Sequence, residues 1–196
     1  MYLPRIRVGA GIVLSLCLFA STRASAQSIG IFGDASAATC NITLDPSVNP
    51  QTTIYLYALL GNVPGISGVE FRLDGLPSLS IPISFNLPSG AFSLCNVLDG
   101  IFVVLPPCQA PGPSGVVLIG TVTLISFVPV GEHTLSILAD PTPSQPAFSC
   151  PQIQYCDDPA YTRLCVPGGQ AFINSSTDCT VAVQAMTWSK IKQLYD

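Results

Sequence analysis

Cysteine is the residue type with the most chemical potential in this chain. Eight cysteines occur in 196 residues, and seven of them follow residue 26. No two of these seven have the spacing of two to four residues that structural zinc sites use, so the pattern favours disulfides over a metal. We predict a bridge between Cys95 and Cys108, and two further bridges that pin a long loop and the last strand. Because seven is odd, one thiol is left over, and we assign this role to Cys40. The candidates for the two further bridges are Cys150, Cys156, Cys165 and Cys179.

The single histidine restricts the catalytic hypotheses. His133 is the only candidate base for a cysteine nucleophile, and one imidazole is a weak basis for catalysis. The chain has no G-x-S-x-G motif of a serine hydrolase. Most of its acidic residues adjoin proline or glycine, which is typical of turns rather than of paired glycosidase carboxylates. We predict that the protein is not an enzyme, with an extracellular hydrolase as the least favoured alternative.

Calcium is the one cofactor that the acidic residues suggest. Asp157 and Asp158, with Asp140 or Asp178, offer carboxylates in an irregular segment, and calcium takes oxygen ligands from such backbone. The ligand spacing of an EF-hand loop is absent. We therefore predict no cofactor and interpret these acids as part of a solvated loop, with calcium as the alternative.

The first 26 residues have the pattern of an export signal. Arg5 and Arg7 precede an apolar run at residues 8–20, and residues 24–26 (Ala-Ser-Ala) match a small-x-small cleavage site. The apolar run is shorter than the roughly 20 residues that cross a bilayer, so no transmembrane anchor is predicted. Export places the cleaved chain in the medium, on the cell surface or in the periplasm, where disulfides persist.

Charge excludes one class of partner. After residue 26 the chain has four cations and eleven acids, a net charge of −7. Binding to nucleic acid requires a basic surface, which four scattered cations do not supply. The predicted partner is therefore an extracellular protein or a carbohydrate.

Short β-favouring runs separated by turn residues fill most of the chain. Residues 67–73 alternate between apolar and polar side chains, which places Glu70 and Arg72 together as a pair on a solvated face. Gly120 interrupts the run at residues 116–126 and predicts a bulge or a bend. About ten strands with almost no helical period predict an antiparallel β-sandwich. The other predicted strands are residues 29–32, 39–44, 52–60, 81–85, 101–105, 116–126, 133–138, 171–173 and 180–185.

Two segments depart from the strand pattern. Residues 140–169 contain six prolines and three cysteines without a sustained period, so we interpret them as a long loop held by disulfides. Residues 187–196 predict a short amphipathic helix, which packs on the sandwich or docks on a partner. The predicted organisation is a signal peptide at 1–26, one sandwich domain at 27–186 and this helix. The apolar stripe of the helix consists of Trp188, Ile191, Leu194 and Tyr195.

Residues 52–73 resemble the opening strands of cohesin-like and related carbohydrate-binding β-sandwiches. They contain a strand, the turn sequence Gly-Asn-Val-Pro-Gly at residues 61–65 and an amphipathic strand, and the similarity extends over about residues 50–140. The resemblance implies a jelly-roll or immunoglobulin-like sandwich that serves as a binding or structural module. The alternative is a carbohydrate-binding module, in which Tyr55 and Tyr57 on one side of their strand are the ligand-binding aromatics. The chain with its Trp-Ser-Lys-Ile-Lys ending also resembles secreted bacterial proteins.

Overall fold

The computed structural model describes residues 27–61, 63–78, 80–156 and 162–176. These residues form twelve β-strands and no helix. The strands are β1 (Ser28–Phe32), β2 (Asn41–Ile42), β3 (Gln51–Leu59), β4 (Ile66–Asp74), β5 (Ser80–Asn86), β6 (Phe92–Asn96), β7 (Gly100–Gln109), β8 (Val116–Ser126), β9 (His133–Leu138), β10 (Gln152–Tyr155), β11 (Arg163–Cys165) and β12 (Gln170–Ile173).

The strands form two sheets. The first sheet has the order β1-β3-β8-β5, and all its neighbours are antiparallel. The second sheet is built around β4, which pairs with β7 and β10 over its first part and with β9 over its last three residues. The second sheet then continues from β7 to β6, from β10 to β11, and from β9 through β12 to β2. Only the short β12–β2 pair is parallel among the strand pairs described.

The core lies between the two sheets, because alternation along each strand sends one row of side chains inward. On β4 the inward row is Val69, Phe71 and Leu73, as the alternating sequence predicts. The first sheet contributes fully buried residues such as Ile54 and Leu56. Each fully buried large apolar side chain contributes about 1.5–3 kcal/mol relative to exposure, so this row is a main source of stability.

The predicted all-β sandwich is confirmed. Nine of the ten predicted strands lie in the described residues, and each overlaps an observed strand. The strand predicted at residues 180–185 and the helix predicted at 187–196 lie outside the described residues. Strands β6, β10 and β11 were not predicted. They are short, and four of the five β6 side chains are exposed, so β6 lacks a buried apolar row that alternation could reveal.

The bulge predicted at Gly120 is confirmed. In the β3–β8 ladder Leu56 pairs with Gly120 and the next residue, Tyr57, pairs with Leu118, so Ile119 is the extra residue. A Cβ atom on Gly120 would lie 2.8 Å from the backbone oxygen of Asn86. Glycine is therefore required here by the close approach of the neighbouring strand.

Residues 140–169 do not form one long loop. They contain β10 and β11, which form an antiparallel pair and extend the second sheet from β4. Disulfides pin this segment as expected, but the pairing is only partly the predicted one. Cys150, just before β10, is bridged to Cys165, the last residue of β11. Cys156, just after β10, is bridged to Cys108 near the end of β7, so the prediction that Cys156 pairs with Cys150, Cys165 or Cys179 is wrong. The Cα–Cα distances of the two bridges are 5.6 and 5.5 Å. The sequence did not reveal these strands because prolines and cysteines interrupt the alternation.

The predicted Cys95–Cys108 bridge is wrong, and so is the assignment of Cys40 as the leftover thiol. Cys40 is disulfide-bonded, whereas Cys95 is a free, exposed cysteine. In the β6–β7 ladder Cys95 lies opposite Ile101, seven residues before Cys108. Seven strand residues span about 23 Å, whereas a disulfide requires Cα atoms within about 7 Å. Cys179 lies outside the described residues.

Candidate binding surface

The outer side of the second sheet carries an exposed apolar surface. We call it the apolar face and define it as Phe92 and Leu94 on β6 with Phe102 and Val104 on β7. Phe92 pairs with Val104 and Leu94 pairs with Phe102, and directly opposed residues project from the same side of a sheet. Their neighbours Ile101 and Val103 are buried in the core, so these four side chains point away from it.

The two β6 residues are the most accessible part of this apolar face. Phe92 is 51% exposed and Leu94 is 56% exposed, whereas Phe102 and Val104 are half-buried. Large apolar side chains scattered singly are ordinary on a protein surface, but adjacent ones over a half-buried apolar row are typical of an interaction site. Sequence reasoning missed this surface. The signal was the alternation of Phe92 and Leu94 with Ser93 and Cys95 along a short run.

A buried ion pair borders the apolar face. Glu70 on β4 is 2% exposed and lies directly opposite Phe102 on β7. One of its carboxylate oxygens, Oε2, lies 2.6 Å from the Arg163 Nη1 atom of β11. The same oxygen accepts a hydrogen bond from the Ser144 hydroxyl, and Oε1 accepts one from the Ser144 backbone N–H, both at 2.6 Å. Arg163 also donates to the Ser144 hydroxyl.

This cluster contradicts the expected surface pair of Glu70 with Arg72. Glu70 does face away from the core row, but the segment that contains Ser144 and the β10–β11 pair cover it. A buried carboxylate needs an opposite charge and hydrogen bonds to offset its desolvation, and Arg163 and Ser144 supply both. The cluster thereby holds the segment around residue 144 against the sheet.

Arg163 connects the ion pair to the apolar face. Its guanidinium carbon lies 4.7 Å from the centroid of the Phe102 ring, a cation–π contact. The Phe102 ring in turn packs over Gly68, where a Cβ atom would approach it to 3.1 Å. The apolar face therefore has an aromatic residue held between a glycine and a charge-paired arginine, which restricts its motion.

The predicted aromatic pair on β3 does not form an exposed platform. The rings of Tyr55 and Tyr57 are stacked with centroids 6.5 Å apart, but Tyr57 is buried and Tyr55 is half-buried. The Tyr57 hydroxyl donates to the backbone oxygen of Ala35 at 2.7 Å, and its ring meets Phe32 edge to face. Burial raises the pKa of Tyr57 above its usual value, with smaller contributions from Tyr55 and Asp34. These tyrosines pack the outer side of the first sheet and do not present two rings to a sugar.

The other residues that the sequence analysis singled out do not assemble into a site within the described residues. His133 is exposed at the start of β9, and within the described residues its imidazole forms no hydrogen bond or ion pair.

The described residues contain no group of three or more His, Cys, Asp or Glu side chains placed to hold a metal ion. Asp157, Asp158 and Asp178 lie outside the described residues, as does the predicted docking stripe of Trp188, Ile191, Leu194 and Tyr195. In the described part of the chain, no helix is long and apolar enough to cross a membrane.

Comparison with known proteins identifies the architecture. No protein-family profile matches the sequence, and no curated protein matches it. Among solved structures, the cohesin module of a family 33 glycoside hydrolase from Clostridium perfringens superposes with a TM-score of 0.52 at 8% sequence identity. The match covers 76% of this chain and 96% of that module. The fold is cohesin-like.

A second cohesin shows the same relationship at lower similarity. The seventh ScaB type I cohesin from Pseudobacteroides cellulosolvens has a TM-score of 0.46 at 10% identity, with 79% of this chain and 96% of that chain covered. The superposition on the Clostridium perfringens module confirms, at the level of the fold, the resemblance expected from residues 52–73. In this cohesin-like sandwich the apolar face occupies the outer side of β6 and β7, and β6 also contains the free, exposed Cys95.

Proposed function

We propose that this chain is an exported, non-catalytic module that binds an extracellular protein through the apolar face. The observation that carries the proposal is the exposure of Phe92 and Leu94 side by side on β6. Burying two such side chains on association would contribute several kcal/mol, since each large apolar side chain contributes about 1.5–3 kcal/mol. The cohesin-like fold supports a binding role only as an analogy, because one fold serves many functions.

The position of β6 also favours a protein partner. Among the described residues, β7 is the only strand that pairs with β6, so no described strand covers the other backbone edge of β6. An open edge and apolar side chains together suit an extended protein segment, whose backbone hydrogen bonds supply affinity. A carbohydrate ligand has less support, because Tyr57 is buried and anchored to Ala35.

Export and the domain boundaries are part of the same proposal. Two disulfides hold the β10–β11 pair, and such bridges persist in oxidising compartments. The export-signal pattern of residues 1–26 is consistent with that compartment. We assign residues 27–186 to one binding domain and residues 187–196 to a terminal helix.

A thiol label placed beside the apolar face tests the proposal. Cys95 is exposed and follows Leu94 on β6, so an environment-sensitive fluorophore attached to Cys95 through a flexible linker is close enough to respond to a partner bound along this strand. Extracellular and cell-wall proteins of the source organism are fractionated and titrated against the labelled protein. We expect one protein fraction to change the emission saturably, and the F92S/L94S double variant to lose that response.

Matched controls separate the alternatives. Phe127 is 70% exposed and lies outside the apolar face, so F127S should bind the protein fraction as the parent does. Equal binding by F92S/L94S and the parent would contradict the proposed surface. Retention on insoluble polysaccharide without a protein response would favour the carbohydrate-binding alternative instead.

A further inference from the structure

A second exposed apolar cluster lies at one end of the sandwich, apart from the apolar face. We call it the end patch and define it as Val48, Phe127 and Val128. Val48 is 84% exposed, Phe127 is 70% exposed and Val128 is 38% exposed. Val48 lies in the turn before β3, and the other two residues follow β8 directly. The backbone N–H of Ser126 donates to the Pro50 oxygen at 2.9 Å, which brings these two segments together.

The described chain ends at this patch. The side chain of Asn174 receives a hydrogen bond from the Leu44 N–H and donates to the backbone oxygens of Leu44 and Val130. Two residues later, the Ser176 N–H donates to Glu132 Oε1 at 3.2 Å. Asn174 therefore ties the segment before Val48 and the segment after Val128 to the last strand, and the described chain ends beside Glu132, four residues after Val128.

We propose that residues 187–196 of this same chain dock on the end patch. The segment supplies an apolar stripe at helical spacing, Trp188, Ile191 and Tyr195, with Leu194 beside it. The ten residues between Ser176 and this segment span at most about 35 Å when extended, which is ample for a site where the chain leaves the structure. Docking would cover the exposed Phe127 ring with the segment's own apolar residues.

Charge supports this occupant. Lys190 and Lys192 are the only lysines of the protein, and both lie within the docking segment. Glu132 is exposed and contacts the end of the described chain at Ser176, and Asp45 begins the turn that contains Val48. In the docked state the cations of the segment would face these acids, an arrangement that would favour one orientation and add modestly to affinity.

Trp188 makes the proposal directly testable because it is the only tryptophan of the chain. Its emission and its quenching by iodide are measured in the disulfide-bonded protein, with the urea-unfolded chain as the exposed reference. We expect the native protein to emit at shorter wavelength and to be quenched less than this reference. F127S should move both values toward the reference, while L94S, a matched change on the apolar face, should leave them unchanged.

Each outcome decides the question. Phe127 is largely exposed, so F127S should keep the far-UV circular dichroism spectrum and the cooperative unfolding transition of the parent, which separates undocking from unfolding. Trp188 quenching equal to that of the unfolded chain would overturn the proposal, as would an unchanged value in F127S. A dependence of Trp188 emission on protein concentration would overturn it in favour of a second copy, which sedimentation velocity would detect as a dimer. None of these results depends on the partner of the apolar face.

Discussion

Glu70 and Arg163 are 93 residues apart in sequence, yet the carboxylate Oε2 and the guanidinium Nη1 atoms lie 2.6 Å apart. The pair joins β4 to β11, while the Arg163 guanidinium also covers the Phe102 ring of the apolar face. This one contact therefore connects the stability of the second sheet to the shape of the candidate binding surface.

Removing Arg163 should be strongly destabilising. R163M keeps most of the side-chain length but leaves Glu70 buried without its counter-charge, which typically costs about 3–5 kcal/mol of unfolding free energy. The double variant E70Q/R163M should recover much of this loss, because no uncompensated charge remains. Urea denaturation measures each value, with D74N at the exposed end of β4 as the control. A loss in R163M no larger than that in D74N would contradict the buried pair.

Replacing Gln152 should stabilise the protein. Gln152 is 1% exposed and lies opposite Glu70 in the β4–β10 ladder, and neither polar atom of its side chain has a hydrogen-bond partner in the described structure. An unpaired buried polar group costs about 1–3 kcal/mol, so Q152M should raise the free energy of unfolding by up to that amount. Q154M, two residues along the same strand and less buried, is the control. A clear loss of stability in Q152M would mean that the amide has a structural role.

Asp34 should make stability depend on pH in the acid range. Its partial burial raises the pKa, but hydrogen bonds from the Ser36 hydroxyl and from the N–H groups of Thr39, Ala38 and Ser36 outweigh this and lower the pKa below 3.8. A carboxyl with a lowered folded-state pKa stabilises the native state fully above its unfolded pKa, and the contribution is lost as the pH falls through the folded value.

The pH dependence can be assigned with one substitution. Unfolding by urea is followed between about pH 5 and pH 2, where the parent should lose stability progressively. D34N cannot titrate, so its curve should be flatter over this range and its stability near neutral pH should be lower. Parallel curves for D34N and the parent would show that the carboxylate of Asp34 is not the group responsible.

The cysteines should give a definite pattern on peptide mapping. Digestion without reduction should yield peptides linked through Cys108–Cys156 and through Cys150–Cys165, while native alkylation labels Cys95. C150A/C165A opens a loop with a sequence separation of 15 and should lower the free energy of unfolding by about 3 kcal/mol. C95A, which removes a free thiol, should change stability little. A linked peptide containing Cys95 and Cys108 would contradict the described pairing.

Strand positions followed from the sequence where a buried face produces a sustained alternation of apolar residues. Residues 67–73 and 133–138 were predicted because apolar residues recur with a period of two, and these became β4 and β9. In β6 the alternation of Phe92 and Leu94 with polar neighbours covers only a few residues, which is too short a run to distinguish a strand from a turn-flanked apolar pair. The candidate surface was missed for the reason that makes it a candidate: its apolar residues are not in the core.

The alternation of apolar residues and the number of cysteines are local or compositional properties, which the sequence shows directly. The sequence alone therefore determined the β-sandwich class and the alternating face of β4. It also determined that the seven cysteines after residue 26 are odd in number. Which thiol is free, and that Glu70 is buried, depended on the tertiary structure. Both follow from the placement of the β10–β11 pair beside β4, which brings Cys156 to Cys108 and Arg163 to Glu70. Strand order in a sheet depends on packing between distant segments, and no local pattern along the chain encodes it.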